Sequence, residues 1–184
     1  KEFSILITNA LSGMLPVVAR ELYPEAIIEC VEYFPYYVEH LIRLGFTVTD
    51  INYDMEKINE MNKRFTQGVG NPPYSLAGNK TGKKGRAKNL YPIFYEKMNE
   101  LCDNVSMIVP RTDRQHTAFN SYIREHTNKI IDIDDSAMGV NISTWCLIND
   151  NSNDNVDHIE WADLIELPEQ KVKWAKGKIN VTTE

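Results

Sequence analysis

The chain alternates short apolar runs with amphipathic segments up to about residue 150. Residues 3–8 are an apolar run bounded by a polar turn, as in a buried parallel strand. Further strand-like runs lie at residues 26–31, 46–50, 105–110, 129–134 and 141–148, and a weaker one at 65–70, where Gln67 and two glycines interrupt the apolar pattern. Segments of helical character lie between them, at residues 12–23, 35–44, 56–64, 91–101 and 117–127.

This order of elements predicts an α/β fold with a doubly wound, mainly parallel sheet. The last two strands are joined by residues 135–140 alone, which is too short for a helical crossover, so we expect them to be antiparallel. We predict one domain over residues 1–150 and a polar C-terminal extension over 151–184, with a strand near 159–167 and a lysine-rich end.

Composition narrows the class of protein. A chain of 184 residues with 42% hydrophobic residues suits a globular domain with a proper core. We see neither a membrane-spanning run nor a signal-peptide pattern, and expect no membrane association. The three cysteines are far apart, which predicts a reduced cytoplasmic protein. The four histidines show no metal-ligand spacing, so no metal is expected.

The most informative segment is the turn from Asn71 to Tyr74, which reads Asn-Pro-Pro-Tyr. Two prolines stiffen the backbone and remove N–H groups, so the segment presents mainly acceptors. The side-chain oxygen of Asn71 and the carbonyl of Pro72 can both accept hydrogen bonds from one planar –NH2 group, and the ring of Tyr74 can stack on the ring that carries it. The alternative is an ordinary loop turn.

Charge is distributed unevenly along the chain. The net charge of −6 argues against binding DNA by bulk electrostatics. A glycine-containing segment directly after the Asn-Pro-Pro-Tyr turn is nevertheless basic, through Lys80, Lys83, Lys84, Arg86 and Lys88. Such a segment can be a solvated loop, but its place beside a candidate base-binding turn favours contact with nucleic acid.

The Asn-Pro-Pro-Tyr turn after the fourth strand and the final antiparallel strand resemble the Rossmann-like fold of class I S-adenosylmethionine-dependent methyltransferases. More narrowly, the chain resembles the adenine-specific DNA methyltransferases of restriction–modification systems and phages. Four further segments carry this resemblance, namely LYPIF at 90–94, IVP at 108–110, YIR at 122–124 and GVNIST at 139–144. It covers residues 3–148.

The resemblance implies S-adenosylmethionine as cofactor and places it at the end of the first strand. In that family the strand leads into an acidic residue followed by two glycines, of which the sequence keeps Gly13. Asn9 stands at the acidic position and Leu15 replaces the second glycine. We expect the Leu15 side chain to crowd the ligand, and a helix starting at Ser12 to offer its N-terminus to a carboxylate.

Two acidic residues match further cofactor contacts of the family. Glu32 ends the second strand, where the family grips the ribose hydroxyls, with Glu29 as the second choice. Asp50 ends the third strand, where the family contacts the adenine amine, with Asp54 as a weaker candidate. A solvent-facing carboxylate at a strand end is the alternative for both.

The implied activity is methylation of adenine N6 in DNA, with Asn71, Pro72 and Tyr74 as catalytic residues. Tyr74, Tyr91 and the basic segment are expected to contact DNA. We expect the protein to act in the cytoplasm of a bacterium or a phage-infected host cell. We expect no separate target-recognition domain within residues 151–184, and therefore a specificity subunit or a homo-oligomer to supply target recognition. Two alternatives stay open: an inactive relative that binds or regulates, and a methyltransferase for a glutamine amide in a protein.

Overall fold

The computed structural model describes residues 2–52, 54–74, 89–111, 117–133, 144–150, 160–163, 170–175 and 178–182. The chain divides into two compact units, Lys1–Cys102 and Asp103–Glu184. The domain boundary predicted at residue 150 stays a prediction, and this structural division falls earlier in the chain.

The first unit is a parallel α/β layer. Its elements in chain order are β1 (Ser4–Thr8), α1 (Met14–Leu22), β2 (Ile27–Glu32), α2 (Pro35–Arg43), β3 (Thr47–Asp50), a 3-10 helix (Met55–Glu60), β4 (Phe65–Gly70) and α3 (Tyr91–Leu101). The four strands pair in the order β4-β1-β2-β3, and every pairing is parallel. This agrees with the predicted parallel sheet.

Two helix predictions need correction. The segment predicted as a helix over 56–64 is a 3-10 helix that ends at Glu60, and within it Ile58 is buried while Asn59 and Glu60 are exposed. Because Asn59 and Glu60 are exposed, there is little packing to extend the helix beyond Glu60. The first helix starts at Met14 and not at Ser12, because Gly13 has a left-handed φ of 82°.

Helix α2 shows how local sequence sets its ends. Pro35 occupies the first turn, where its missing N–H costs nothing and its φ is already helical. At the other end Gly45 has φ 83° and its N–H donates to the carbonyl of Ile42, while the N–H of Phe46 donates to that of Leu41. This pair of bonds is a Schellman motif, which glycine favours because it lacks a Cβ.

The sheet of the first unit is buried on both faces, as expected of parallel strands. On one face a cluster formed by Ile5, Ile7, Ala10, Cys30, Leu41 and Phe46 lies under α1 and α2. The intervening residue Leu6 is also fully buried, as are Phe94 and Met98 of α3. The alternation of Ile5, Leu6 and Ile7 therefore supplies core residues to both faces.

The second unit is mostly antiparallel. Its elements are β5 (Cys102–Pro110), α4 (Thr117–His126), β6 (Lys129–Ile133), β7 (Thr144–Asp150), β8 (Glu160–Asp163), β9 (Gln170–Ala175) and β10 (Lys178–Thr182). Strand β7 pairs antiparallel with both β5 and β6, which confirms the predicted antiparallel pair.

The C-terminal segment contains more strand than the sequence indicated. Strand β8 agrees with the strand predicted near 159–167 and pairs parallel with β6. The end expected to be a lysine-rich tail instead contains β9 and β10, which pair antiparallel. In both strands polar and apolar residues alternate with the period of two expected of a strand. The high lysine content led to the prediction of a tail. The alternating residues are Lys171, Val172, Lys173 and Trp174 in β9, and Lys178 and Ile179 in β10.

All three cysteines lie among the described residues and are free thiols. Cys30 and Cys102 are buried, Cys146 is partly buried, and burial raises the pKa of Cys30 to about 12.

Within the described residues, no helix combines the length and apolar character that crossing a bilayer requires. Nor do they bring together three or more His, Cys, Asp or Glu residues able to hold a metal ion.

Neighbouring residues of α2 offer a test of the core. Leu41 is fully buried whereas Ile42 is 55% exposed. We expect Leu41→Ala to lower the free energy of unfolding by about 2–5 kcal/mol, because the cavity it leaves lacks packing partners. The matched variant Ile42→Ala should change it by about 0.5 kcal/mol or less. Urea unfolding measures both, and equal losses would contradict this assignment of the core.

Candidate active site

The carboxyl ends of four parallel strands meet at one edge of the first unit. Thr8 pairs in register with Val31 on one side and with Gly70 on the other, and Glu32 pairs with Asp50. Ligands of open α/β sheets bind outside such carboxyl ends. The predicted residues Asn9, Glu32, Asp50 and Asn71 all end or directly follow these strands, so the fold gathers them at the same edge.

The loop between β1 and α1 has an unusual backbone. Asn9 has φ 56° and Leu11 has φ 46°, in addition to the left-handed Gly13. Left-handed backbone is rare for residues with a Cβ and is most tolerated by asparagine, aspartate and glycine, so Leu11 in particular is strained. Strain of this kind persists where the surroundings hold the backbone in place, and it concentrates at ligand sites.

Glu32 holds this loop in its conformation. Its Oε2 accepts a hydrogen bond of 2.8 Å from the Leu11 N–H, and its Oε1 accepts one of 2.9 Å from the Phe34 N–H. The side chain is fully buried. The carboxylate thus ties the β1–α1 loop to the turn after β2. The ribose contact expected of Glu32 stays a prediction, and in this structure both carboxylate oxygens already bind main-chain N–H groups.

The environment of Glu32 disfavours its charge. Burial raises the pKa of Glu32, because the ionised form loses hydration, and the negative charge of Asp50 raises it further. The N–H groups of Phe34, Leu11 and Tyr33 act in the opposite direction, since they stabilise the carboxylate. A carboxyl group at a strand end with opposing influences of this kind is typical of a functional site.

The other acidic candidates differ from Glu32 in their surroundings. Asp50 is exposed, and its Oδ1 accepts a hydrogen bond of 2.8 Å from the Asn52 N–H. Glu29, the second choice for the ribose, lies in the middle of β2 and forms an ion pair of 2.5 Å with Lys63. Asp54 caps the 3-10 helix through the Glu56 N–H. Asp50 and Asp54 are both exposed, and of the two Asp50 ends a strand at the sheet edge.

Asn9 connects the ends of β1 and β4. Its Nδ2 donates a hydrogen bond of 3.1 Å to the main-chain carbonyl oxygen of Asn71. Its Oδ1 and the Oγ1 of Thr8 are buried and have no hydrogen-bond partner among the described residues. Close approach of these strand ends requires glycine at position 70, because a Cβ there would collide with the Thr8 side chain. Sequence reasoning missed Thr8, since a threonine inside an apolar strand carries no visible signal.

The Asn-Pro-Pro-Tyr turn is anchored at both of its ends. Asn71 is exposed, Pro72 is buried and Tyr74 is half-buried. The carbonyl of Tyr74 accepts a hydrogen bond of 3.2 Å from the Leu90 N–H. The Tyr74 ring meets the Tyr91 ring edge-on, with 6.4 Å between centroids. The turn therefore presents the Asn71 side chain outward from a fixed base.

The DNA-contact candidates fall into two groups. Tyr91 is buried, and burial raises its pKa to about 12, so it supports Tyr74 more than it faces a ligand. The basic residues Lys80, Lys83, Lys84, Arg86 and Lys88 lie outside the described residues.

The edge can be tested for its fit to S-adenosylmethionine. Leu15, expected to crowd the ligand, packs instead against the core cluster that contains Ile5 and Leu41. A Cβ on Gly13 would meet the side chain of Leu44, the residue after α2, so this glycine also allows close packing there. The buried, unpartnered oxygens of Thr8 and Asn9 suit a ligand that brings amine or hydroxyl donors. The residues therefore fit the cofactor.

The sequence model of the Eco57I restriction-modification methylase family matches residues 23–139. No curated protein sequence matches significantly.

Similar solved structures are methyltransferases of low sequence identity. The 23S rRNA methyltransferase ErmE has a TM-score of 0.50 and 15% identity, covering 81% of this chain and 62% of that protein. A predicted O-methyltransferase from Agrobacterium tumefaciens has a TM-score of 0.56 and 12% identity, covering 89% and 79%. The N-terminal domain of human METTL16 has a TM-score of 0.54 and 10% identity, covering 83% and 62%. The chain thus has the Rossmann-like class I methyltransferase fold, and it spans less than two thirds of ErmE.

The raised pKa of Glu32 has a measurable consequence. The folded state holds this proton more tightly than the unfolded chain, so ionisation costs stability as pH rises from the ordinary glutamate pKa to the raised one. Glu32→Gln removes the titration, and we expect the wild type to lose stability relative to this variant across that interval. Urea unfolding at a series of pH values measures the difference.

The matched control is Glu39→Gln, which removes a carboxylate whose side chain is 75% exposed. Its free energy of unfolding should follow the pH dependence of the wild type. A Glu32→Gln variant with the wild-type slope would show that Glu32 does not control this part of the pH dependence.

Proposed function

The chain belongs to the Eco57I restriction-modification methylase family, and on that basis we propose that it transfers a methyl group from S-adenosylmethionine to the N6 amine of an adenine in DNA. The observation that carries the proposal is the position of the Asn-Pro-Pro-Tyr turn. Asn71 is exposed directly after β4. Its main-chain carbonyl oxygen accepts a hydrogen bond of 3.1 Å from the Nδ2 of Asn9, which directly follows β1. An acceptor for an amine thus stands beside the edge proposed to hold the cofactor.

The turn would activate the amine through two acceptors. An aromatic amine is a poor nucleophile because its lone pair is delocalised into the ring. Hydrogen bonds from the –NH2 group to the Asn71 side-chain oxygen and to the Pro72 carbonyl favour a pyramidal nitrogen and stabilise the positive charge that develops on it. The cofactor supplies an electrophilic methyl group on a sulfonium. Alignment of the amine with that methyl supplies much of the remaining rate.

The cofactor contacts are proposed for four residues at the sheet edge. Asn9 and Gly13 border the methionine part, Glu32 the ribose and Asp50 the adenine amine. Support comes from the shared edge, from the unpartnered buried oxygen of Asn9 and from the exposure of Asp50. The chain itself orients the ligand and excludes water, and needs neither a metal ion nor a covalent nucleophile.

DNA binding is proposed for Tyr74 and the basic segment, with the buried Tyr91 supporting Tyr74. An adenine inside a duplex cannot reach the turn and must flip out, at a cost of a few kcal/mol. Stacking on an aromatic ring contributes roughly 1–3 kcal/mol per base and offsets part of that cost. We propose that Tyr74 provides this ring, supported edge-on by Tyr91. The specific sequence would be read by a partner subunit or by a second copy of the chain.

One observation favours a second candidate, a methyltransferase relative that binds or regulates without catalysis. Glu32 is fully buried and both of its oxygens bind main-chain N–H groups. A ribose hydroxyl would have to share these oxygens, each of which has a further lone pair. In this candidate Glu32 keeps its hydrogen bonds to the Leu11 and Phe34 N–H groups, and the protein does not bind the cofactor.

Titration with S-adenosylmethionine separates the two candidates. Binding of S-adenosylmethionine, measured by calorimetry, supports the proposal that the protein is an enzyme. Absence of binding at millimolar cofactor would exclude that proposal. Incorporation of labelled methyl groups into DNA, with RNA and a glutamine-containing protein as competing acceptors, then identifies the substrate class. Labelling of the RNA or the protein alone would overturn the DNA proposal.

Asn71→Ala tests the role of the turn. We expect transfer to fall by about 100-fold or more, because an acceptor aimed at the developing charge is lost, with cofactor affinity nearly unchanged. Single-turnover methylation and calorimetry measure the two quantities. The matched variant Asn62→Ala removes an exposed asparagine before β4 and should alter neither. Equal losses of transfer and cofactor affinity for Asn71→Ala would place Asn71 at the cofactor and not at the amine.

The basic segment yields a salt-dependence prediction. Replacing Lys80, Lys83, Lys84, Arg86 and Lys88 by glutamine should weaken DNA binding. It should also reduce the slope of log K against log salt concentration by roughly one for each phosphate that the segment no longer neutralises. Fluorescence anisotropy at several salt concentrations measures this slope, and an unchanged slope would exclude the segment from DNA contact.

A further inference from the structure

We infer that Asn9 is a positioning residue for the Asn-Pro-Pro-Tyr turn, through a hydrogen bond that an acidic residue could not donate when ionised. The inference rests on the proposed function. It assigns to this asparagine a role that differs from that of the acid which the resembled family carries at the same place.

The geometry defines the bond clearly. The Nδ2 of Asn9 lies 3.1 Å from the carbonyl oxygen of Asn71, and the Asn9 side chain is 7% exposed. Turning the amide over would place two acceptors, Oδ1 and the carbonyl oxygen, against each other. The orientation with the –NH2 group on the carbonyl is therefore the favourable one.

The turn needs an anchor of this kind. Pro72 and Pro73 have no N–H groups, so their main chain cannot be held by donation to a neighbouring strand. The carbonyl of Asn71 is the acceptor nearest the end of β4, and it belongs to the same peptide plane as the nitrogen of Pro72. By fixing this plane, Asn9 fixes where the Asn71 side chain and the Pro72 carbonyl point.

The backbone of Asn9 suits the same role. A φ of 56° is accessible to asparagine, aspartate and glycine. Aspartate could therefore keep this backbone, but its buried carboxylate would face the carbonyl of Asn71 without a proton to donate. Among these three residues, asparagine alone keeps the donor at every pH.

Asn9→Asp tests the bond without changing the size of the side chain. Burial raises the pKa of the new carboxyl group, so the variant can donate only when protonated. At pH 8 we expect kcat to fall by about 100-fold, as for a displacement of a reacting group by about 1 Å. Activity relative to wild type should recover as pH falls through the raised pKa. The wild-type profile, measured in parallel, accounts for the other ionisable groups near the same loop, namely Glu32, Asp50 and His40.

A second measurement reports the bond in the absence of any activity. The chain contains a single Asn-Pro dipeptide, at Asn71 and Pro72. Full-length protein labelled with ¹³C-carbonyl asparagine and ¹⁵N-proline therefore gives one carbonyl–nitrogen correlation in a carbon-detected spectrum. We expect this signal to shift in Asn9→Asp at pH 8 and to return toward the wild-type position at low pH.

Two further variants complete the comparison. Asn9→Gly tolerates the positive φ but has no side-chain donor, so its signal should shift and its kcat should fall at every pH. If Asn9→Asp fails to fold, Asn9→Gly still decides the question. The exposed control Asn62→Asp adds the same charge and should match the wild type in both measurements.

The outcomes separate this inference from the proposed function. A wild type without methyl transfer would remove the proposed function, and with it a catalytic purpose for Asn9. Active wild type with Asn9→Asp or Asn9→Gly equally active would overturn the inference alone. Loss of kcat without a change in the Asn71–Pro72 signal would also overturn it, because Asn9 would then act elsewhere.

Discussion

The buried carboxylate of Glu32 holds the carboxyl-terminal edge of the parallel sheet together. It accepts one hydrogen bond from Leu11 and one from Phe34, and so joins the loops that follow β1 and β2. Burying a carboxylate is costly unless its oxygens are hydrogen-bonded, and both oxygens are. The same bonds hold Leu11 at its positive φ, which an isolated chain would rarely adopt.

From this carboxylate a series of contacts runs to the Asn-Pro-Pro-Tyr turn. Glu32 fixes Leu11, the loop containing Leu11 begins at Asn9, and Asn9 binds the main chain of Asn71. The parallel register makes this series short, because Thr8 lies beside both Val31 and Gly70. The proposed cofactor edge and the proposed amine-binding turn are thus parts of one hydrogen-bonded structure placed on rigid strands, as is usual for functional loops.

The departures from the resembled family have physical accounts in this structure. Leu15 replaces a glycine, yet its side chain packs into the core cluster under α1 and α2. Asn9 replaces an acid, and it gains a donor that reaches Asn71. These changes alter how the loop is held while they leave the fold of a class I methyltransferase intact. Gly13 is kept, and both its φ of 82° and the closeness of the Leu44 side chain favour glycine.

The division between sequence and tertiary structure follows the range of the interactions. Apolar periodicity predicted the strands up to β7 and the antiparallel pairing of β7, because burial and connection length act locally; Pro35 and Gly45 likewise marked the ends of α2. The pattern failed for β9 and β10, where lysines alternate with apolar residues, and for the 3-10 helix, where Ile58 is buried but Asn59 and Glu60 are exposed. The residue types and their positions at the ends of predicted strands were sufficient to name Asn71, Glu32 and Asp50 as candidate site residues. The partners of these groups could not be read from the chain, since Asn9 meets Asn71 across 62 positions and Glu32 meets Leu11 across 21. Only the packing of parallel strands brings such distant groups to one edge and decides which hydrogen bonds they make.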